Sequence, residues 1–481
     1  MKTKKIALST EKMNGRFFTP AFIVNNILDL SGYKGQNILK KHAIDNSCGD
    51  GAFLVYIVSR YCEEYLKNSN DLEELARDLA EYIHGIEMDK VVCQQCIDNL
   101  NFIVKSFGIN GVNWDICCGS ALSINKYDGK MDFVLGNPPY IRVHNLGINF
   151  NDVKKFIFAQ KGMTDLYIAF YEIGIRMLNN NGTLGYITPS SYFNSIAGKY
   201  MRSYFVDNNL LDKIVDLKHS QVFSSTTYTA ITILKKNRKI KTCDYYRFES
   251  ENSSLYYVGK LCCEDYYICD NFYFADKEKL EELKNILMFK SNEEKFVVKN
   301  GFATLADKFF IGEFDFDEFT IPVIKAATGK KYRCLFPYDE NKLILYKTLT
   351  SNSKIKDYFE NNKETLLNRS LEKREDWYGF GRTQGIGDVY KVKYSINTLI
   401  RDVCDLKIIK CDKGVGVYSG LYILTDIDEN ELLKILYNKD FISYISLLGK
   451  YKSGGYYTFS SKDLKNYLEY KYSQREAIGN G

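Results

Sequence analysis

The sequence predicts an α/β protein in which an open, mostly parallel sheet is followed by a second domain of mixed α+β structure. Short apolar strands alternate with helical patterns through the first half of the chain. Polar or glycine-rich turns follow these strands, as they do at the ligand-binding edge of such sheets. Past residue 240, short β runs rich in tyrosine and basic residues replace the alternation. We therefore expect domains at residues 1–240 and 241–481.

The first predicted strand ends at Asp45, and a glycine turn follows it. The turn contains Cys48, Gly49 and Gly51. Glycine permits positive φ and a close approach of the backbone to a ligand. The turn lacks the three-glycine spacing of a dinucleotide phosphate site. With Asp45 and Asp50 beside it, the turn better suits a ligand that carries an ammonium group.

The second predicted strand covers residues 82–86 and ends in Glu87. A carboxylate at the tip of the second strand of such a sheet typically accepts hydrogen bonds from ribose hydroxyls. The gap from Asp45 is longer than the usual roughly 20 residues, which the acidic helical stretch at 71–81 explains. An ordinary surface position for Glu87 is the alternative.

The most specific motif is Gly136-Asn137-Pro138-Pro139-Tyr140, which follows the apolar strand 133–135. Two prolines remove two backbone donors, so no neighbouring amides compete for the carbonyls of Asn137 and Pro138. The Asn137 side chain adds a third oxygen, and Tyr140 adds a flat aromatic face. This set suits the gripping of a planar amino group by its two hydrogens, which predicts methylation of an exocyclic or amide nitrogen. A proline-rich turn after a buried strand is the structural alternative.

The spacing of the two motifs predicts that they meet. A βαβ unit needs about 30 residues, which places Asn137 after the fourth strand. In an open α/β sheet, the first and fourth strands flank the switch point where ligands bind. The loops after Asp45 and before Tyr140 should therefore open onto one crevice. We expect further strands at 185–189, 214–217 and 228–234, and a helix from Asp165.

Phe17-Phe18-Thr19-Pro20, the glycine turn and the Asn-Pro-Pro-Tyr motif occur here in the order found in one known family. The chain resembles gamma-class N6-adenine-specific DNA methyltransferases of the Eco57I and TaqI type, which carry a TaqI-like C-terminal specificity domain. The resemblance covers the first 240 residues well and the remainder loosely. It implies a Rossmann-like methyltransferase sheet that binds S-adenosylmethionine (SAM), without a metal, and a DNA target-recognition domain. It also implies methylation of adenine N6 in double-stranded DNA by base flipping, in a restriction-modification system whose restriction endonuclease acts separately.

The resemblance also implies roles for individual residues. Thr19 would contact the methionine carboxylate of SAM, Glu87 would hold its ribose, and Tyr140 would stack on the flipped base. The cofactor set implied in this way is Thr19, Asp45, Cys48, Gly49, Glu87, Ser120 and Asn137. The catalytic set is Asn137, Pro138, Tyr140 and Phe223.

Ser120 marks a departure from the family pattern. The family usually places an aspartate after the third strand, where it accepts a hydrogen bond from the adenine amino group of the cofactor. A hydroxyl also accepts, but without charge assistance, so this position bears on the affinity for SAM. Asp115 is the other candidate acceptor.

Basic and aromatic residues cluster twice in the second domain, at 325–333 and at 369–382. Lysine and arginine bind phosphates, and arginine reads guanine edges. We expect Lys330, Arg333, Arg374 and Arg382 to bind DNA. We favour a phosphate contact for Arg374 and a base contact for Arg382, in a flexible glycine-rich loop. A solvated charged loop is the alternative.

The composition sets further limits. The net charge of +5 is mild and does not by itself predict DNA binding, which depends on where the basic residues cluster. Thirteen irregularly spaced cysteines predict reduced thiols in a cytoplasmic protein. Cys93 and Cys96 form a CxxC pair without a second pair, so we expect no metal, and no apolar run predicts a membrane span. Two other functions stay open: a protein glutamine methyltransferase, and a catalytically weak DNA-binding specificity subunit.

Overall fold

The computed structural model describes residues 19–142, 145, 150–220, 227–239, 241–249, 251–371 and 373–479. Contacts divide the chain into two compact units, Met1–Glu281 and Glu282–Gly481. Phe223, which we expected to contact the flipped base, lies outside the described residues. Thr19 is the first residue of the described part.

The first unit contains a nine-stranded sheet with helices beside it. Its strands are β1 (Ala43–Asp45), β2 (Ile83–Glu87), β3 (Asp115–Cys118), β4 (Met131–Gly136), β5 (Leu178–Pro189), β6 (Leu211–Asp216), β7 (Thr229–Lys235), β8 (Thr242–Glu249) and β9 (Ser254–Cys262), with a separate pair β10 (Tyr267–Ile268) and β11 (Asn271–Phe272). Its helices are α1 (Ala21–Ser31), α2 (Leu54–Leu66), α3 (Leu72–Tyr82), α4 (Lys90–Lys105), α5 (Phe150–Lys154), α6 (Leu166–Met177), α7 (Lys199–Asp207) and α8 (Cys263–Tyr266).

The strand order of the sheet is β3-β2-β1-β4-β5-β7-β6-β8-β9. The first five of these strands run parallel to one another, and β7 is antiparallel to both β5 and β6. This mostly parallel sheet confirms the predicted fold class. The strands that we expected near 185, 214 and 228, and the helix after Asp165, are all present as β5, β6, β7 and α6.

The switch point of the sheet lies at β1, which pairs in parallel with β2 on one side and β4 on the other. Ile44 is opposite His84 in β2 and opposite Val134 in β4. The chain order reverses here, so the carboxyl ends of β1 and β4 are adjacent. Asn137 does follow the fourth strand, as predicted, and the loops after β1 and β4 leave the same edge of the sheet.

Apolar helix faces fix this edge in place. In α1, Ile23, Val24, Ile27 and Leu28 are fully buried, and α2 and α4 contribute to the same core cluster. Burial of each such side chain stabilises the fold by about 1.5–3 kcal/mol. Helix α4 begins directly after β2, because the Asp89 carboxylate accepts hydrogen bonds from the amides of Val91 and Val92.

The sheet continues past residue 240, where we predicted the domain boundary. Strand β8 pairs in parallel with β6, with Arg247 opposite Asp216, and β9 completes a hairpin with β8. Tyr245 is fully buried in this hairpin. The tyrosine-rich composition that suggested a second domain thus belongs partly to the edge of the sheet, and the division by contacts falls after Glu281.

The second unit is rich in short, mostly antiparallel strands. These are β12 (Val297–Asn300), β13 (Thr320–Lys325), β14 (Lys330–Leu335), β15 (Tyr338–Asp339), β16 (Lys342–Leu343), β17 (Lys393–Ile396), β18 (Leu399–Ile400), β19 (Ile408–Cys411), β20 (Gly416–Tyr418), β21 (Leu421–Leu424), β22 (Tyr451–Lys452) and β23 (Tyr456–Thr458). They form sheets in the orders β12-β21-β17-β19, β14-β13-β20, β15-β16 and β18-β23-β22.

Helices accompany these sheets, and the boundary between the units falls within the first of them. They are α9 (Lys277–Met288), α10 (Asp307–Phe310), α11 (Tyr346–Leu349), α12 (Ser353–Leu367), α13 (Glu429–Leu436), α14 (Lys439–Leu447) and α15 (Ser461–Gly479). The aromatic core of this unit includes Phe302, Phe310, Phe336 and Phe380.

Three further features bear on the expectations from composition. All thirteen cysteines are free thiols. No helix in the described part of the chain is long and apolar enough to span a membrane. Within those same residues, no group of three histidine, cysteine or acidic side chains is arranged to hold a metal ion. The absence of a metal from the working protein stays a prediction.

Candidate active site

Asn137 stands directly after β4, and its side-chain amide has two different environments. Nδ2 donates a hydrogen bond to Oγ1 of Thr19 at 3.0 Å. Oδ1 is buried and has no hydrogen-bond partner among the described residues. A buried acceptor without a partner costs about 1–3 kcal/mol, and such atoms are rare enough in folded proteins to need a functional explanation. This oxygen is free to accept a hydrogen from a ligand.

The turn after Asn137 is held from the β1 side. The hydroxyl of Ser47 donates to the backbone carbonyl of Asn137 at 3.5 Å. Pro138 is buried beside it. Because Pro138 and Pro139 have no amide hydrogens, the backbone in this turn offers acceptors and few donors.

Tyr140 is fixed at its hydroxyl end. The hydroxyl donates to the carbonyl of Ile187 in β5 at 3.0 Å, and Tyr167 of α6 packs edge-on with ring centroids 6.3 Å apart. Burial raises the pKa of Tyr140 well above its usual value, so the ring stays neutral. The side chain as a whole is half-buried. A ring anchored in this way can present a face for stacking without losing side-chain entropy on binding.

Asp45 ends β1 as a buried carboxyl group, 2% exposed. Burial raises its pKa to about 7, although the backbone amide of Ser47 donates to Oδ1 at 3.0 Å and counteracts part of that shift. The negative charge of Glu87 adds to the rise. Asp45 therefore lacks a cation, and a ligand ammonium group would supply one.

Gly136 makes room for this carboxyl group. A Cβ atom at position 136 would lie 2.5 Å from Oδ1 of Asp45. Only glycine fits here, directly before Asn137. We did not expect a role for Gly136 from the sequence, where its position at the end of a buried strand was the available signal.

Glu87, at the end of β2, is 8% exposed and is oriented by two backbone amides. Gly49 donates to Oε2 at 3.2 Å, and Asp89 donates to Oε1 at 2.9 Å. Gly49 reaches this position with φ of +55°. The alternative of an ordinary surface position for Glu87 is thus wrong. The carboxylate is a fixed acceptor at the sheet edge.

The thiol of Cys48 points away from this edge. A hydrogen bond with the Cys96 thiol, together with burial, raises the pKa of Cys48 well above its usual range. The side chain is 3% exposed in the core between sheet and helices. Only the Cys48 backbone, in the glycine turn, is placed for a ligand.

Ser120 follows β3 and is half-buried, with its hydroxyl accepting a hydrogen bond from the amide of Leu122 at 3.3 Å. Asp115, the alternative acceptor, lies at the opposite end of β3. It contacts the His84 ring nitrogen at 2.8 Å and Lys126 at 2.7 Å. These contacts hold the pKa of Asp115 well below its ordinary value. Asp115 therefore cannot replace an acceptor at the carboxyl edge.

In the second unit, the four expected DNA contacts divide into two groups. The side chains of Lys330, Arg374 and Arg382 are exposed and make no ion pair or side-chain hydrogen bond with the described residues. Arg333 instead donates to Asp317 at 2.6 Å and to the carbonyl of Phe316 at 2.8 Å. Its guanidinium group holds the loop before β13.

Lys330 lies in an unusual pair. It is directly opposite Lys325 where β13 and β14 meet in a hairpin. Like charges directly opposite each other destabilise a sheet. An anionic partner such as a phosphate would offset that repulsion.

The glycine-rich loop at 369–382 is more firmly anchored than its composition suggests. The Arg369 guanidinium donates to the carbonyls of Thr304, Leu366 and Gly379 at 2.6, 3.0 and 3.0 Å. Arg382 pairs through its backbone with Ala303. Arg369 is therefore used internally, and the flexibility of the loop stays a prediction.

This geometry indicates a class of protein, because it combines a methyltransferase-type sheet with hydrogen-bond acceptors at the switch point. The family model of the Eco57I restriction-modification methylase matches residues 50–223. The chain is similar to this family over that segment, and it is a DNA methyltransferase of a restriction-modification system.

Two curated relatives show how far the similarity extends. The chain is 25% identical over 474 residues to the type II methyltransferase M.BstVI of Geobacillus stearothermophilus, covering 86% of this chain and 82% of the relative. It is 26% identical over 419 residues to the type II restriction enzyme and methyltransferase RM.Eco57I of Escherichia coli, covering 72% of this chain but 39% of that longer protein.

Among solved structures, the type IIL restriction-modification enzyme MmeI, determined in complex with DNA, has a similar fold. The TM-score is 0.60 at 14% identity, and the match covers 92% of this chain and 63% of the MmeI chain. At this identity the likeness shows a shared fold alone.

SAM is the methyl donor that this family implies, and the residues at the sheet edge fit it. The buried Asp45 carboxyl suits an ammonium group, and the oriented Glu87 carboxylate suits a pair of hydroxyls. The glycine turn allows close approach of a ligand at Gly49.

Proposed function

We propose that the chain transfers a methyl group from SAM to adenine N6 in double-stranded DNA at a specific site. The observation that carries this proposal is the buried, unpartnered Oδ1 of Asn137 next to the anchored ring of Tyr140. An acceptor beside an aromatic face is complementary to a planar amino-bearing base. Because adenine N6 lies inside the duplex stack, the base must leave the helix to reach these groups.

SAM is held at the carboxyl ends of β1 and β2 in this proposal. Asp45 binds the ammonium group, the glycine turn borders the amino-acid end through the backbone of Cys48 and Gly49, and Glu87 accepts from the ribose hydroxyls. Ser120 retains a lone pair for the adenine amino group of the cofactor. When bound, SAM supplies a methyl group on an activated sulfonium leaving group.

The protein contributes orientation and hydrogen-bond acceptors. Asn137 Oδ1 and the Pro138 carbonyl accept the two amino hydrogens, and Tyr140 stacks on the base, with Phe223 contacting the ring. This arrangement turns the nitrogen lone pair toward the methyl carbon. The nitrogen would then be aligned to take the methyl group as the carbon–sulfur bond of SAM breaks, and the proton that the nitrogen must lose would pass to solvent. Positioning and electrostatics therefore supply most of the rate, and no general base is needed.

Site recognition is assigned to the second unit. Arg374, Arg382 and Lys330 are exposed basic side chains whose charges no described residue neutralises. They suit phosphate oxygens or guanine edges. A restriction endonuclease of the same site would act as a separate protein, as the similarity to the methyltransferase M.BstVI suggests.

Product analysis tests this function. The protein is incubated with unmethylated phage DNA and SAM carrying a deuterated methyl group, and the DNA is digested to nucleosides for mass spectrometry. We expect label in N6-methyldeoxyadenosine. Label in N4-methyldeoxycytidine would contradict the base assignment. Label in protein glutamine, or an absence of SAM binding, would favour one of the two alternative functions.

A further inference from the structure

The two ends of the Asn137 amide are distinguished by one tertiary contact. Thr19, 118 residues earlier in the chain, receives a hydrogen bond from Nδ2, whereas Oδ1 is buried without a partner in the described residues. Thr19 is 3% exposed, so its hydroxyl meets almost no solvent. The orientation of the amide is therefore set inside the protein.

The orientation matters because the amide has an acceptor at one end and donors at the other. A half-turn about the Cβ–Cγ bond would direct the Nδ2 hydrogens at the substrate. An NH₂ group cannot accept from another amino group, so that rotamer would be inactive. The Thr19 hydroxyl oxygen accepts one of the two Nδ2 hydrogens of Asn137, and its own hydrogen has no acceptor among the described residues.

Thr19 also lies close to the start of α1. Pro20 follows it at the start of α1, and the Pro20 carbonyl accepts from the amides of Ile23 and Val24 at 3.0 and 3.2 Å. Ile23 and Val24 are fully buried in the core. Thr19 thus stands two residues before a helix that is packed into the core.

We propose that Thr19 is a positioning residue for methyl transfer, whose hydroxyl holds Asn137 with Oδ1 toward the amino group of the substrate. This inference rests on the proposed function, in which Oδ1 accepts an adenine amino hydrogen. It is compatible with a contact between Thr19 and the SAM carboxylate. A hydroxyl that donates its only hydrogen to an anion must accept from Asn137, so that contact would reinforce the orientation.

Variants that remove the hydroxyl test the proposal. Thr19→Val keeps the size of the side chain. Thr19→Ala removes the hydroxyl without adding any atom that could clash with its neighbours. With SAM and DNA both saturating, we expect the single-turnover rate constant to fall by about 10- to 100-fold in each variant, because a misoriented acceptor costs up to about 100-fold. Thr19→Ser, which keeps the hydroxyl, should restore most of the rate.

A double-mutant cycle separates this role from general support of the fold. If Thr19 acts through Asn137, Thr19→Val should slow Asn137→Ala by less than about threefold. Fully multiplicative effects would overturn the proposal. So would an unchanged rate constant with only a raised Kd for SAM, or a Thr19→Ser variant as slow as Thr19→Val. Wild-type protein that does not methylate adenine would instead refute the proposed function.

Discussion

Asp45 and Glu87 are both buried at the carboxyl edge of the sheet, but their surroundings differ. Each oxygen of Glu87 accepts from a backbone amide, whereas one amide of Ser47 serves Asp45. Burial raises the pKa of Asp45 to about 7, and the hydrogen bond from Ser47 counteracts only part of that shift. Binding of a cationic ligand at Asp45 should therefore depend on pH near neutrality, because the carboxyl group changes its protonation state there.

We expect SAM binding to tighten as the pH rises through 7. An ammonium group favours the charged form of Asp45, so binding releases a proton, and the Kd should rise up to about tenfold per pH unit below the pKa of Asp45. Calorimetry between pH 5.5 and 8.5 measures this dependence. Asp45→Asn is the matched control, and it should bind weakly with a flat pH profile. An equally steep profile in that variant would assign the titration to another group.

The same pKa affects stability with the opposite sign. The folded chain without ligand retains a proton that unfolded Asp45 releases above about pH 4. The free energy of unfolding should therefore fall between pH 4 and 7 in the wild type relative to Asp45→Asn. Denaturant titrations at several pH values compare the two proteins.

At the scale of elements, the residue at the end of β4 determines whether the Asp45 carboxyl group at the end of β1 has enough space. Gly136 and Asp45 lie on adjacent strands, and there is no space for a Cβ atom between them. Strand pairing, the glycine turn and the Asn-Pro-Pro-Tyr motif were predictable, because parallel strands of known order deliver their carboxyl ends to one edge. The close approach of Gly136 to Asp45 depends on packing within that edge, which a motif alone does not specify.

Gly136→Ala should weaken SAM binding and destabilise the first unit by about 1–3 kcal/mol, the usual cost of overpacking a core. The methyl group would displace the Asp45 carboxyl. Gly111→Ala is a suitable control, because a Cβ there meets nothing within 4 Å and its φ is not positive. Thermal unfolding and calorimetry measure both effects. Equal stability and equal SAM affinity in the two variants would show that the Asp45 carboxyl group can move without destabilising the protein.

For the whole molecule, amino-acid composition predicted the domain boundary and the exposed basic residues less well than motif order predicted the sheet. Tyrosine-rich segments after residue 240 belong partly to the sheet, as β8 and β9 show. Arg333 and Arg369 occur among the same aromatic and basic residues as Arg374 and Arg382, yet they bind internal carbonyls. The sequence does not distinguish an arginine that binds internal carbonyls from an exposed arginine that can bind a phosphate, because both occur in the same local composition. Likewise, nothing local links Thr19 to Asn137.

Arg374→Ala and Arg382→Ala should weaken DNA binding in different ways. Loss of a phosphate contact at Arg374 should lower affinity for all sequences and reduce the salt slope by about one. Loss of a base contact at Arg382 should relax specificity at one position by about 1–3 kcal/mol. Arg77→Ala, at an exposed arginine of the first unit, is the control. If neither variant differs from this control, the hairpin with Lys325 and Lys330 becomes the next candidate.

We expect the unpartnered oxygen of Asn137 to act on the transition state of methyl transfer. The most direct measurement is the single-turnover rate of Asn137→Ala, with the Kd values for SAM and DNA determined on the same protein and Asn179→Ala as a control away from this edge. We predict a loss of about 100- to 1,000-fold in rate, the usual cost of removing one group that stabilises a transition state, with both Kd values nearly unchanged. A near-normal rate in Asn137→Ala would contradict the claim.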